Sequence, residues 1–180
     1  MKEKEKCVAR IERLNSSNWC EFEESVYMIE EASYEVGRRH SEAMIKKTVL
    51  NAAGVSLVAL TDGMVAGFCI GAPISEFRHL SGPSAEMTQS NDEMILYAAD
   101  LCVADRYRGC GIARQLKIAQ IERAKQDGYR LLVGRNRVGF ADAMWRLNQS
   151  LGAESVSVID HAYKDYLEPN ATIYYHIKLR

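Results

Sequence analysis

The sequence lacks the features that mark membrane, secreted and nucleic-acid-binding proteins. No apolar run reaches the roughly 20 residues that a membrane-spanning helix needs. Residues 1–6 carry charges of both signs and no apolar segment follows them, so they do not form a secretory signal. The net charge is −1, from 23 basic and 24 acidic side chains, which argues against broad binding to nucleic acid or to acidic membranes.

Cysteine and histidine are present, but not in metal-binding patterns. The five cysteines are odd in number and form no Cys-x-x-Cys pair, which favours reduced thiols over a disulfide framework. The four histidines, His40, His79, His161 and His176, show no ligand spacing. We therefore predict a cytoplasmic protein without a bound metal ion.

The length of 180 residues and the apolar fraction of 47% fit one domain that spans residues 1–180. Hydrophobic periodicity, helix caps and turn dipeptides predict the order β-α-α-β-β-β-α-β-α-β-β. Predicted strands cover about residues 6–14, 55–60, 64–71, 94–103, 129–134, 154–159 and 172–179, and predicted helices cover about 19–33, 41–53, 111–127 and 140–151. Residues 73–92 form a long irregular connection, which is typical of a functional or a mobile loop.

A basic turn with two glycines joins a predicted strand to a predicted helix. Gly109 and Gly111 let the backbone approach a bulky anion, because no Cβ stands in the way. The first amides of the helix have no intrahelical acceptor, and the helix dipole adds partial positive charge at that end. Arg106, Arg108 and Arg114 add full charges. The turn is therefore predicted to bind an anion, most simply a phosphate or a pyrophosphate.

Three phosphate-binding motifs compete for this turn. A P-loop does not fit, because the run Gly-x-x-x-x-Gly-Lys-Ser/Thr is missing. A dinucleotide fingerprint, Gly-x-Gly-x-x-Gly, fits Gly109 and Gly111, but Arg114 at the third position would block the close contact between helix and strand. The pattern Arg/Gln-x-x-Gly-x-Gly/Ala is matched fully by residues 108–113. An arginine-rich loop that caps an ordinary helix is the remaining alternative.

The third pattern resembles the pyrophosphate-binding motif of the N-acetyltransferase (GNAT) superfamily. The longer form, residues 100–103 followed by 106–113, is more specific than the six-residue core, and the order of predicted elements matches that superfamily along nearly the whole chain. Asn136 and the helix that ends at Leu151 and Gly152 resemble its second motif. The resemblance implies an α/β (α+β) fold with a mixed, mostly antiparallel sheet of six to seven strands and about four helices. Its fourth and fifth strands would be parallel and splayed, so that the pantetheine arm of the cofactor enters between them.

The resemblance also implies the cofactor and its site. Acetyl-CoA would be the cosubstrate, with its pyrophosphate held by the turn. The end of the preceding strand would hold the pantetheine and polarise the acetyl group through free backbone amides. The implied cofactor-binding residues are Leu101, Cys102, Val103, Arg108, Gly109, Cys110, Gly111, Ile112, Ala113, Arg114, Asn136 and Asn148. The implied reaction is direct acetyl transfer, in a ternary complex, to a primary amine of a small molecule or a peptide.

Acetyl transfer to an amine needs a base, because a lysine-like amine has an unperturbed pKa of about 10.4 and is mostly protonated at pH 7. Asp100 and Glu93 are acidic residues on the central strand, and we predict Asp100 as the catalytic base because it lies nearer the motif. Its alternative role is to pair with an arginine or to cap a turn. Two roles stay open for Tyr97: it supplies a hydroxyl to the active site, or it packs in the core. Asn148 occupies the position of the family's usual tyrosine acid. Asparagine cannot protonate a thiolate, so we predict that it serves catalysis by positioning the cofactor.

The acceptor side is less specified by the sequence. We expect the acidic face of the first helix and the 73–92 connection to shape it, and an acidic face would suit a cationic amine. That face is formed by Glu21, Glu23, Glu24, Glu30 and Glu31. The alternative is an ordinary solvated helix face. Tyr163 and Tyr166 would line an acceptor pocket or lie on the surface.

Two rival functions follow from the same residues. The asparagine at position 148 admits a non-catalytic acyl-CoA-binding sensor, and the phosphate turn alone admits a nucleotide-phosphate binder. Cys110 lies at a helix N-terminus among arginines, but no histidine stands near it in sequence to support a covalent role. A homodimer stays open, although no heptad or apolar helix face requires one.

Overall fold

The computed structural model describes residues 7–79 and 94–179, which form seven strands and four α-helices. In chain order these are β1 (Arg10–Leu14), α1 (Trp19–Ser33), α2 (Glu42–Val49), β2 (Ser56–Thr61), β3 (Met64–Pro73), β4 (Ile95–Val103), α3 (Ile112–Gln126), β5 (Leu131–Arg137), α4 (Asp142–Ser150), β6 (Glu154–Asp160) and β7 (Ala171–Lys178). This order confirms the predicted one. Within the described ranges, no helix has both the length and the apolar content needed to cross a membrane.

The strands form one mixed sheet in the order β1-β2-β3-β4-β5-β7-β6. The recorded pairings of β1 with β2, β2 with β3, β5 with β7 and β6 with β7 are antiparallel, whereas β4 and β5 are parallel. Parallel strands need a crossover connection, and α3 supplies it. The predicted mixed, mostly antiparallel sheet with a parallel fourth and fifth strand is therefore confirmed.

The described residues divide into two compact units, and the first comprises residues 7–72 and 99–123. Helices cover both faces of its strands. On one face, Val26 of α1 and Ile45 of α2 pack with Phe68 of β3 in a buried apolar cluster. On the other face, Leu116 of α3 packs with Cys69 of β3. Strand side chains alternate between the two faces, so a nearly continuous apolar run is what a doubly covered strand requires.

Local signals in the sequence set the turns of the first unit. The Ser41 side chain accepts a hydrogen bond from the Met44 amide at 3.2 Å and caps α2. The hairpin between β2 and β3 turns at Asp62 and Gly63, which have φ angles of 52° and 76°. A Cβ on Gly67 would stand 2.6 Å from the Cys102 carbonyl oxygen, so this close approach to β4 requires glycine.

The second unit comprises residues 73–79, 94–98 and 124–179. Its strands β5 and β7 pair from Leu131–Lys178 to Arg137–Thr172. Parallel pairing between β4 and β5 runs only from Ile95–Leu131 to Tyr97–Val133, although β5 continues to Arg137. The splay of the two strands stays a prediction.

Several boundaries differ from the prediction. Strand β1 begins at Arg10 rather than near residue 6, and helix α2 ends at Val49 rather than near residue 53. Strand β5 extends to Arg137, three residues past the predicted end at Gly134, because Asn136 and Arg137 are buried with polar partners rather than exposed. In the sequence, polar residues end the apolar run after Gly134, so hydrophobic periodicity alone could not predict that the strand continues. Strand β3 reaches Pro73, and residues 74–77 form a short 3₁₀ helix. Residues 80–92 of the predicted irregular connection lie outside the described residues.

Candidate active site

The glycine-bracketed turn has the backbone geometry that its sequence predicts. It begins with a 3₁₀ turn at Asp105–Tyr107, and Gly109 and Gly111 then adopt φ angles of 83° and 87°. Such positive angles are readily available only to glycine. Between them, the Cys110 side chain turns into the protein and is only 6% exposed. Its thiol packs among apolar residues of the first unit, which leaves it poorly placed for a covalent role with a substrate.

The amides at the start of α3 form the basis of an anion site. The first intrahelical bond runs from the Gln115 amide to the Gly111 carbonyl at 3.1 Å. The amides of Ile112 and Ala113 precede this bond, so neither has an intrahelical acceptor. Apart from its two chain neighbours, no atom of residues 7–79 and 94–179 lies within 4 Å of the position that a Cβ on Gly111 would occupy. Unused helix amides, the helix dipole and open space at one end of α3 suit a bound phosphate.

Arg106 and Arg108 make contacts that hold the turn, in addition to giving it positive charge. The Arg108 guanidinium lies 2.8 Å from the Asp105 carboxylate and donates to the Val103 carbonyl at 3.2 Å. Arg106 stacks over the Tyr107 ring, with its guanidinium carbon 4.7 Å from the ring centre. Arg108 is therefore partly neutralised by Asp105 and ties the turn to the end of β4.

The end of β4 departs from the sequence-based expectation at one amide. The Leu101 amide donates to the Asp100 carboxylate at 2.7 Å, so it is not free to polarise an acetyl group. Cys102 is buried, and Val103 is half-buried beside the residues that pack on α3. The prediction of a free backbone amide at Leu101 is therefore wrong, because the Asp100 side chain accepts a hydrogen bond from that amide.

Asp100 belongs to a polar cluster that the sequence did not reveal. Its side chain is 6% exposed and accepts a hydrogen bond from the Tyr34 hydroxyl at 3.0 Å. His40 Nε2 lies 4.0 Å from its second oxygen, and the His40 side chain is 27% exposed. The Glu30 carboxyl hydrogen-bonds Asp100 directly. No arginine is recorded with Asp100 among residues 7–79 and 94–179, so the expected alternative of an arginine pair is replaced by this cluster.

Glu30 corrects the sequence interpretation of α1. We expected it on the exposed acidic face, but it is 3% exposed and lies on the buried face beside Ile29. The His40 amide donates to one Glu30 oxygen at 2.8 Å, and the Cys102 thiol donates to the other at 3.4 Å. Burial raises the pKa of Glu30 to about 9, and the Asp100 charge contributes to the shift. Glu30 therefore keeps its proton at neutral pH and hydrogen-bonds Asp100.

The same surroundings hold protons on the neighbouring groups. The Asp100 charge raises the pKa of Tyr34 above its ordinary value, with burial acting in the same direction. Burial raises the pKa of Cys102, assisted by the Asp100 charge. Ligand atoms of Glu30, Asp100 and Cys102 all lie within 4.8 Å of one another. A metal would have to displace the protons of Glu30 and Cys102, so these groups favour a proton-sharing cluster over a metal site, and the prediction of no metal stands as a prediction.

Stability should fall as pH rises from about 5 to 9, and Glu30→Gln should remove most of this dependence. Between the ordinary pKa of 4.5 and the folded value of about 9, the folded chain keeps a proton that the unfolded chain releases. One such proton gives a slope of up to about 1.4 kcal/mol per pH unit. Urea unfolding at pH 5, 7 and 9 would measure it. Glu31→Gln, at an exposed neighbour, is the control, and equal slopes in wild type and Glu30→Gln would contradict the assignment.

In the second unit, the two predicted asparagines contact each other. Asn148 of α4 donates from its side-chain amide to the Asn136 side chain of β5 at 2.9 Å, and the two side chains are 0% and 5% exposed. The Asn148 amide also hydrogen-bonds the Tyr175 hydroxyl. A Cβ on Gly134 would stand 2.6 Å from that hydroxyl, so glycine makes room for it. Asn148 therefore fixes α4 to the β5–β7 pair and presents no surface to a ligand in this structure.

Comparison with known proteins identifies the family. A sequence model of the acetyltransferase (GNAT) family matches residues 11–146. The chain belongs to this family. The match includes Asp100 and the turn but ends before Asn148. No curated protein matches the sequence.

Solved structures share the fold at low sequence identity. Ribosomal-protein-S18-alanine N-acetyltransferase from Escherichia coli is 16% identical over 96% of this chain and 94% of its own, with a TM-score of 0.73. The yncA protein of Salmonella typhimurium, solved with its cofactor acetyl-CoA, is 15% identical over 96% and 95%, with a TM-score of 0.68. Aminoglycoside 6'-acetyltransferase type Ii is 13% identical over 95% and 97%, with a TM-score of 0.71. These acetyltransferases confirm the GNAT fold.

Proposed function

We propose that residues 1–180 act as one domain that transfers the acetyl group of acetyl-CoA to a primary amine. The amine nitrogen attacks the thioester carbonyl carbon while both substrates are bound. The carbon–sulfur bond breaks, CoA leaves as a thiolate, and the amine proton passes to a base. Family membership supports acetyl transfer, and the acetyl-CoA bound to the yncA relative supports the cosubstrate. The named acceptors of the relatives, a ribosomal protein and aminoglycosides, differ too much to select one for this chain.

The observation that carries the proposal is the backbone at the start of α3. Gly109 and Gly111, with φ angles of 83° and 87°, open the turn, and the first helix amides follow it. We assign the pyrophosphate to the amides of Gly109 and of residues 111–114, with the exposed Arg114 side chain as a further charge. The Cys110 amide is left out, because it donates to the Tyr107 carbonyl at 3.4 Å. Cys102 and Val103 remain our proposed pantetheine-binding residues.

We assign the role of proton acceptor to Asp100, acting with Glu30. The raised pKa keeps a proton on Glu30 at neutral pH, and Glu30 hydrogen-bonds the Asp100 carboxyl group that we assign as the acceptor of the amine proton. Tyr34 is hydrogen-bonded to Asp100, and His40 Nε2 lies 4.0 Å from an Asp100 oxygen. The His40 side chain is 27% exposed, and we assign to it the passage of the proton to water. Removing the amine proton requires a base of this kind, because ammonium nitrogen has no lone pair with which to attack.

Asn148 is assigned a positioning role that acts through Asn136 rather than through CoA. Asn148→Ala should lower the free energy of unfolding by about 1–3 kcal/mol, because it leaves the buried Asn136 oxygen without its donor. Turnover by the folded variant should change little, since no proton donor is lost. Urea unfolding and steady-state kinetics would check both, with exposed Gln149→Ala as the control. A 100-fold fall in kcat at unchanged stability would instead show a direct role in catalysis.

The direct test of the proposed function is acetyl-CoA turnover with a panel of primary amines, followed with a thiol-detecting dye. The panel should include amino acids, peptides, polyamines and aminoglycosides. We expect CoA release that depends on one class of acceptor and scales with enzyme concentration. ATP in place of acetyl-CoA tests the nucleotide-phosphate alternative, which predicts thermal stabilisation by ATP and none by CoA.

One observation favours a second candidate function, a non-catalytic acyl-CoA sensor. The position of the usual tyrosine acid holds a fully buried asparagine. A sensor would bind acetyl-CoA tightly and release no CoA with any amine. Turnover with an acceptor rejects it, because a thiolate, whose parent thiol has a pKa near 8.5, can leave without an acid.

A further inference from the structure

Residues 7–9, which precede β1, lie against the glycine-bracketed turn and the start of α3, all within the first unit. The Cys7 amide donates to the Cys110 carbonyl at 3.2 Å. The Gln115 side chain donates to the Cys7 carbonyl at 2.7 Å and accepts from the Ala9 amide at 3.1 Å. Three backbone groups of this short segment therefore bond to the element that we assign to the pyrophosphate.

The Gln115 side chain takes the place of a neighbouring strand for residues 7–9. Cys7 and Ala9 pack against the apolar cluster between α3 and β3, whereas Val8 between them is 87% exposed. This alternation is that of extended backbone, in which the polar groups of alternate residues point to the same side. A glutamine side chain carries one acceptor and one donor group, so it can satisfy a carbonyl and an amide together. Gln115 is therefore chosen for its hydrogen bonds and not only for its size.

The bond to Cys110 sets the direction of the next amide along the turn. A peptide unit is planar and trans, so its carbonyl and its N–H point in opposite directions. Because the Cys110 carbonyl is directed at the Cys7 amide, the Gly111 amide of the same peptide unit is directed away from residues 7–9. The Gly111 amide has no protein acceptor among residues 7–79 and 94–179. It is one of the amides that we assign to the pyrophosphate.

The turn contains two glycines, so its shape depends on the contacts that hold it. Gly109 and Gly111 lack the Cβ that would restrict their backbone angles. Before the turn, the Ala104 amide donates to the Ala66 carbonyl at 2.9 Å and ties this end to β3. Residues 7–9 supply the second anchor, between and beyond the glycines. A turn that is held at both ends has less conformational freedom to lose when a ligand binds, which favours binding.

We propose that Gln115 is a positioning residue for the cofactor, which holds residues 7–9 on the turn and so orients the amides that bind the pyrophosphate. This inference rests on the proposed function, since it explains how the same turn is prepared for acetyl-CoA. Gln115 lies outside the glycine pattern of residues 108–113. It acts through Cys7 and Cys110 rather than by contact with the cofactor.

Gln115→Leu tests the side-chain hydrogen bonds, because leucine has a similar size and makes neither bond. We expect about 5- to 20-fold weaker binding of CoA and of acetyl-CoA by isothermal titration. Gln126→Leu, at the exposed end of the same helix, is the matched control and should bind both ligands as wild type does. Wild-type affinity in Gln115→Leu would overturn the proposal.

Proline at position 7 tests the backbone hydrogen bond. Cys7→Pro removes the amide that donates to Cys110, whereas Cys7→Ala loses only the thiol. We expect Cys7→Pro to bind acetyl-CoA about fivefold more weakly than Cys7→Ala. Since both changes act on one set of contacts, Gln115→Leu combined with Cys7→Pro should lose less than the product of the two single losses. Equal affinity in Cys7→Pro and Cys7→Ala would contradict the proposed path through Cys110.

A truncated acetyl donor separates orientation of the pyrophosphate-binding amides from general loosening of the fold. S-acetylpantetheine carries the acetyl thioester and the pantetheine arm but no pyrophosphate. Gln115→Leu should lower kcat/KM for acetyl-CoA about 5- to 20-fold through a higher KM, and should leave kcat/KM for S-acetylpantetheine within about twofold. An equal fall with both donors would show that Gln115 serves the fold as a whole, and would overturn the positioning role.

Binding and turnover together distinguish failure of this inference from failure of the proposed function. If no amine releases CoA but Gln115→Leu still weakens CoA binding relative to Gln126→Leu, the positioning role stands and acetyl transfer fails. If an amine is acetylated but Gln115→Leu and Cys7→Pro bind acetyl-CoA as wild type does, acetyl transfer stands and the positioning role fails.

Discussion

Replacing Gly111 with valine is expected to weaken acetyl-CoA binding about 100-fold or more. Gly111 has a φ angle of 87°, and a Cβ there would meet no atom of the described residues within 4 Å, its two chain neighbours aside. The added side chain would instead point into the space beside the first amides of α3. It would block a phosphate from approaching those amides, and strain at the left-handed position would shift them further. Isothermal titration with acetyl-CoA and with CoA measures the loss.

Gly128 provides a closely matched control for this substitution. It lies just after the end of the same helix and has a φ angle of 88°. Its chain neighbours aside, it also has no atom of the described ranges within 4 Å of its Cβ position. Gly128→Val should therefore cost similar backbone strain and similar stability, but should leave acetyl-CoA affinity within about twofold. The difference between the two variants isolates the ligand contribution from the folding contribution. If both variants bound acetyl-CoA as wild type does, the pyrophosphate would not lie at this turn.

The turn could be predicted from sequence because the information that specifies it is local. Two glycines, the residues around them and the start of an amphipathic helix all lie within a few positions of one another. Left-handed backbone at Gly109 and Gly111 follows from residue type alone, and so does the set of unsatisfied helix amides. The order of strands and helices could be predicted for the same reason, since each element shows its own period and its own end signals.

The base cluster could not be predicted because its members are distant in sequence. Glu30 follows Ile29, and a rotation of about 100° per residue leaves both on the edge of the buried stripe. Nothing near Glu30 in sequence compensates a buried carboxyl group. Its partners are Asp100, Cys102 and the His40 amide, which the fold brings to it. The acidic face of α1 therefore appeared continuous, although one of its members is buried.

The end of β5 could not be predicted for a related reason. Sequence analysis ended the strand at Gly134, because Arg135, Asn136 and Arg137 are three consecutive polar residues that show no alternation. Their pairing with residues 172–174 of β7 is long-range, so no local signal in the sequence indicates it.

Asp100→Asn is expected to lower kcat about 100- to 1,000-fold at pH 7 while the KM for acetyl-CoA stays within about twofold. General-base catalysis commonly contributes factors of this size. Asparagine keeps the shape of the side chain and can still accept from Tyr34 and from the Leu101 amide, so the fold should survive. Steady-state kinetics would measure kcat and the KM for acetyl-CoA, and urea unfolding would measure whether the fold keeps its stability. Asp62→Asn, in the exposed hairpin turn, is the control, because asparagine tolerates its φ angle of 52°.

The residual activity of Asp100→Asn should then depend on Glu30. Burial is the main cause of the raised pKa of Glu30, and the Asp100 charge is the next. Removing that charge should lower the pKa of Glu30, so that Glu30 ionises more readily and becomes a substitute base. We expect the activity of Asp100→Asn to recover as pH rises from 7 to 9, and Asp100→Asn with Glu30→Gln to lose this recovery. Full activity in the double variant would show that the amine arrives already deprotonated, and that the cluster serves the fold instead of the reaction.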